Sequence, residues 1–155
     1  MITTSAVLPS VEAALVFPMQ HVITRYQKRE GVSLEAATLH EREIKRYLFL
    51  CAKYPNERWP MVKAIDELWH TFIIFTKDYQ AFCTKLGVLF IHHQPFAGTE
   101  NRIELREAYQ RFLNCYRTEF GEPPPTVWPA SINGADGLSE CSDGDSCQSS
   151  CSQCR

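Results

Sequence analysis

The chain has 155 residues, enough for one hydrophobic core and too few for two ordinary ones. Hydrophobic residues make up 45 % and charged residues 22 %, the balance of a globular chain rather than a disordered one. The formal net charge of −2 lacks the Lys and Arg surplus that non-specific binding to nucleic acid or an anionic membrane requires, and no apolar run approaches the roughly 20 residues of a membrane-spanning helix.

Met1-Ile2-Thr3-Thr4-Ser5 lacks the basic stretch of a secretory signal, so a cytoplasmic location is expected. Seven cysteines, an odd number, do not read as a disulfide framework there. Cys51, Cys83 and Cys115 stand singly in apolar, helix-like segments, where a thiol behaves as a small hydrophobe. Cys141, Cys147, Cys151 and Cys154 crowd into the last 15 residues.

Ser10 to about Lys28 reads as a first helix, capped by Ser10 and ended by Gly31, with Pro18 implying a kink or a later start. Ser33 opens a second helix reaching about Tyr54; Ala37, Ile44, Tyr47, Cys51 and Tyr54 fall at helical spacings along it. Pro55-Asn56-Glu57-Arg58 breaks it. Pro60 then suits a first helical position, and Met61, Ile65, Leu68, Phe72, Phe75, Tyr79, Phe82 and Leu86 follow at alternating steps of four and three. That seam predicts one unbroken third helix stopped by Gly87.

Val88 to Pro95 is short and β-rich, and reads as an extended connector or a short strand. Thr99 or Asn101 starts a fourth helix, from Glu100 to about Phe120, whose apolar face is Ile103, Leu105, Tyr109, Phe112, Leu113 and Tyr116. Gly121 ends it and Pro123-Pro124-Pro125 forbids continuation. Trp128 is expected to dock back on the body. The expected fold is therefore all-α: a compact bundle of about four helices over residues 1–130, followed by a flexible tail, 131–155, too rich in Cys, Ser, Gly and Asp to bury a core.

The third helix carries the candidate site. Asp66 and His70 are four apart, so their side chains share one helical face, roughly opposite the seam centred on Leu68. Trp69, Ile73 and Ile74 flank them, which makes the helix apolar almost all round and predicts cover on both sides. A buried carboxylate needs a partner, and a carboxylate with an imidazole one turn away can hold a metal ion. His92 and His93 are adjacent, so in an extended stretch they face opposite ways and one of the two is expected to reach the site. Asp66, His70 and one of His92 or His93 would form a three-ligand site for a divalent ion, Zn or Fe, with a position left for water or substrate. The same spacing also serves plain ion pairs.

Other features read as structural. His40 lies on an apolar face and is expected to be a satisfied core histidine; His21 carries no signal; Trp59 and Trp69 read as packing residues. Cys83 sits by the apolar seam, as an inert thiol rather than a nucleophile. The tail cysteines are spaced C-x5-C-x3-C-x2-C; four thiolates can wrap a tetrahedral ion, yet the gaps are irregular for a zinc ribbon, and reactive thiols on a flexible tail are the preferred reading. There is no G-x-S-x-G, phosphate-binding loop or dinucleotide fingerprint.

Tyr47-Leu48-Phe49-Leu50, Pro55, Val62 through Ile73 with its Asp66-x-x-Trp69-His70, Thr76 to Tyr79, Phe82-Cys83, Phe90-Ile91-His92-His93-Gln94-Pro95, Tyr116, Phe120 to Pro124 and Trp128-Pro129 together resemble the glycine-rich domain-containing protein-like family. The resemblance spans roughly residues 44 to 130. It implies a family largely of unknown function, whose members often carry a glycine- or cysteine-rich tail and whose recurrent Asp, Trp, His and His-His residues match Asp66, Trp69, His70, His92 and His93. The tail here is richer in Cys and Ser than in Gly.

Two readings follow. In the first, the chain is a helical metal-binding domain and, if an enzyme, a metal-dependent hydrolase or oxygenase acting on a small molecule or peptide. In the second, it is an interaction module for a protein partner, and the same residues form a structural hydrogen-bond network.

Overall fold

The Ser10 hydroxyl accepts a hydrogen bond from the Ala13 amide at 3.3 Å and starts a short helix, α1, Val11–Leu15. In the computed structural model, which describes residues 9–96 and 100–132, this is the first of six helices, with no strand among the described residues. The predicted first helix is two. α1 stops before Pro18, and α2, Gln20–Glu30, begins after it, as expected where a proline bars helical backbone in the residue before it. α2 ends at Gly31, whose φ of 67° is a left-handed cap that favours glycine.

Ser33 accepts from the Ala36 amide at 3.1 Å and opens α3, Leu34–Lys53. Its buried residues include Ala37, Ile44, Tyr47, Leu48 and Leu50, and it packs against α1 and α2. The predicted third helix also divides, into α4, Lys63–Ile74, which lies on α2 and α3, and α5, Thr76–Lys85. Pro60 and Met61 lie ahead of the helix rather than in its first turn. The break is at Phe75, with φ −82° and ψ 67°, close to inverse γ-turn geometry. Two β-branched residues, Ile73 and Ile74, precede it and Thr76 follows, a locally poor helix sequence. The four-and-three seam survives the break because Phe72, Tyr79 and Phe82 still face inward from both pieces, Phe72 and Phe82 around Phe17.

Residues 88–96 have no regular structure. The Asn101 side chain then accepts from the Ile103 amide at 2.8 Å and starts α6, Arg102–Phe120, which ends on Gly121 at φ 81°. α6 meets the bundle through large side chains: Phe112 lies among Tyr47, Trp59 and Trp128 at ring separations of 5.5, 5.7 and 4.7 Å. Trp128 docks back as expected and is buried. It does so partly through a residue that hydropathy overlooks. Glu43 on α3 is fully buried and accepts from the Trp128 indole N–H at 2.8 Å and the Tyr116 hydroxyl at 2.7 Å, while Arg42 donates to its other oxygen at 2.9 Å. One carboxylate thus ties α3 to α6 and to the segment after it.

Candidate functional site

Asp66 sits in the first turn of α4, where the partial positive charge of the helix N-terminus favours a carboxylate, and only 4 % of its surface is exposed. His70 follows one turn later with its Nδ1 3.7 Å from Asp66 Oδ2. His93 arrives from the connector, with Nε2 2.6 Å from Asp66 Oδ1, a short hydrogen bond to the carboxylate. The two imidazoles lie 4.5 Å apart at 36°, and the Trp69 ring covers His93 at 4.5 Å. One ligand-type atom from each of Asp66, His70 and His93 falls within 4.8 Å of the other two. The site is sheltered on α4 and closed over by the connector.

Burial holds the His70 imidazole below its ordinary value; His93 and Arg29 act the same way and Asp66 opposes them. At neutral pH His70 is therefore an uncharged ring with one nitrogen lone pair to offer. On the rim, Arg29 is paired with Glu67 at 2.8 Å and Glu30 at 2.9 Å. Burial and the neighbouring Glu30 raise the Glu67 carboxyl above its usual range, against the pull of Arg29.

Of the two adjacent histidines, the cluster takes His93. His92 is exposed, with its ring against Phe90 at 5.0 Å, because neighbours in extended backbone point to opposite sides. His40 is half-buried and hydrogen-bonded at 3.0 Å to the hydroxyl of Tyr26, consistent with a core role. His21, without any signal in the sequence, pairs with Asp78 at 2.8 Å and rests on the Phe75 ring. Burial raises the thiols of Cys83 and Cys115, and that of Cys51 to about 12. None of these three is an activated nucleophile. The tail cysteines Cys141, Cys147, Cys151 and Cys154 lie outside the described residues.

The residues that hold the connector had no individual signal in the sequence. Arg58 donates to the Pro95 carbonyl at 2.6 Å, its guanidinium lies 4.2 Å from the Phe96 ring centre, and it approaches Glu100 at 3.8 Å. Gln80 donates to the Leu89 carbonyl at 2.7 Å. The Tyr79 hydroxyl accepts from the Trp69 indole at 3.0 Å and donates to the Ile91 carbonyl at 2.5 Å. A tyrosine in an apolar seam reads as packing; the partners of its hydroxyl become visible only once the connector is placed.

No curated protein and no solved structure matches this chain. A family model described as UCP032817-like matches residues 11–123, a span that holds all six helices and all three members of the cluster. The chain belongs to the UCP032817-like family.

Proposed function

We propose that this helical domain binds a divalent metal ion, zinc or iron, through Asp66, His70 and His93. The observation that carries the reading is the convergence of one carboxylate and two imidazoles within 4.8 Å in a sheltered place. In a tetrahedral site with bonds of about 2.0–2.2 Å the donor atoms stand roughly 3.4 Å apart, so shifts of about an ångström fit the three groups to an ion. Binding displaces the proton shared by Asp66 and His93. A mixed nitrogen and oxygen set leaves a fourth position for water, and the ion would supply Lewis acidity or an activated water for hydrolysis, or a centre for oxygen chemistry, on a small molecule or peptide. The resemblance of Asp66-x-x-Trp69-His70 and His92-His93-x-Pro95 to the glycine-rich domain-containing protein-like family supports the same residues. The organisation that goes with this reading is a domain over residues 1–130 followed by a tail, 131–155, of which residues 133–155 lie outside the described residues.

Elemental analysis of the full-length chain tests it, with Cys141, Cys147, Cys151 and Cys154 all changed to Ser so that tail thiols cannot contribute. The expected result is about one ion per chain, lost on His70→Ala or Asp66→Asn. Metal that leaves with the tail thiols, or no metal in either form, refutes the reading. One observation favours a second reading. The direct 2.6 Å contact between Asp66 and His93 is already a complete hydrogen bond, as a purely structural tie in an interaction module would be. That tie predicts unchanged thermal stability on adding Zn²⁺, Fe²⁺ or Mn²⁺.

A further inference from the structure

We propose that Tyr79 is the positioning residue for His93, acting through the chain Trp69–Tyr79–Ile91. The metal arm of this inference rests on the metal reading above; the hydrogen-bond arm does not. The Tyr79 hydroxyl is a junction: it accepts from Trp69 Nε1 at 3.0 Å and donates to the Ile91 carbonyl at 2.5 Å. Ile91 lies two residues before His93, so this bond fixes the backbone that carries the imidazole. The Trp69 ring, itself held by the same hydroxyl, packs on the imidazole at 4.5 Å. One hydroxyl therefore sets both the main-chain position of His93 and the wall beside its ring. Phe72 and Phe90 hold the phenol edge-on at 5.1 and 5.2 Å, and Tyr79 is 1 % exposed, so the hydroxyl has no water to turn to. Burial keeps that hydroxyl well above its ordinary value, so it remains a protonated donor.

The arrangement depends on the helix break. Residues ten apart on a straight helix are about 15 Å apart along its axis, too far for these two side chains to meet. The turn at Phe75 brings α5 back over α4 and lets Tyr79 reach Trp69.

The test compares Tyr79→Phe with Tyr109→Phe in the full-length chain. Tyr109 is a matched control: it is equally buried and donates to a carbonyl, that of Pro129, at 2.8 Å, on the far helix α6. The first measurement, by NMR on histidine-labelled protein without metal, is the water-exchange rate of the His93 imidazole proton bonded to Asp66. The expected result is an increase of about tenfold or more in Tyr79→Phe and a change within about twofold in Tyr109→Phe. The second measurement is Co²⁺ affinity with the tail cysteines changed to Ser, expected to fall about 10- to 100-fold in Tyr79→Phe alone. Equal behaviour of the two variants in the exchange measurement overturns the proposal. If the parent protein binds no Co²⁺, the metal reading fails while the exchange rate still decides the positioning role. Should Tyr79→Phe not fold, Trp69→Phe cuts the same chain at its other end and is expected to raise the exchange rate by a smaller factor; no rise overturns the proposal.

Discussion

Replacing Glu43 tests whether a single carboxylate anchors the C-terminal third of the domain. Its Oε2 accepts from Tyr116 and Trp128, and its Oε1 accepts from Arg42 and, at 3.4 Å, from Arg46. In Glu43→Ala, Arg42, whose side chain is 46 % exposed, turns to water at little cost. The Trp128 and Tyr116 donors cannot, since both residues are buried. Each unpaired buried donor costs about 1–3 kcal/mol, so the expected loss over the two is ~2–6 kcal/mol. In Glu43→Gln the amide oxygen, standing where Oε2 stands, still accepts from both Trp128 and Tyr116. What is lost is the charge assistance, about 1 kcal/mol per bond over two bonds, so the expected loss is ~2 kcal/mol. Urea unfolding followed by far-UV circular dichroism and tryptophan fluorescence gives both values, with the denaturant slope checked for constancy. If both variants fall within about 1 kcal/mol of the parent, or if Gln proves worse than Ala, the anchoring argument is wrong.

Burial lowers the His40 imidazole against the opposing charge of Glu43, so below about pH 6.5 the unfolded chain takes up the proton first and the folded state loses stability as pH falls through the lowered value. Melting temperatures from pH 7.5 to pH 5 are expected to drop less steeply in His40→Gln than in the parent; equal slopes refute this. With the tail cysteines changed to Ser, Cys51 and Cys83 are expected to react with a thiol reagent at neutral pH only after denaturant is added, because burial raises both thiols. Prompt labelling of either one in the folded protein contradicts that account.

Much of the helical framework was legible in the residues because its causes are local. Ser10, Ser33 and Asn101 cap helices where a side-chain oxygen can reach the first free amides, and Gly31 and Gly121 end helices on positive φ. The Asp66 and His70 half of the cluster was legible for the same reason: a four-residue spacing on a helix sets two side chains side by side wherever the helix goes. The choice of His93 over His92 was not, since alternation says only that one of the pair faces inward, and the held connector decides which.

What the sequence determined by itself was periodicity and punctuation: all-α character, the stops at Gly31, Pro55 and Gly121, and the carboxylate–imidazole pair one turn apart. Tertiary structure alone decided the burial of Glu43 beneath Trp128 and the role of Tyr79, and it placed the break at Phe75 in a stretch whose residues only weaken the helix. A four-and-three seam is the same whether its helix is whole or bent, and Glu43 finds partners 73 and 85 residues away. Such long-range pairings carry no local pattern, because hydrogen bonds in a folded core are chosen by which groups share the same dry space rather than by their separation along the chain.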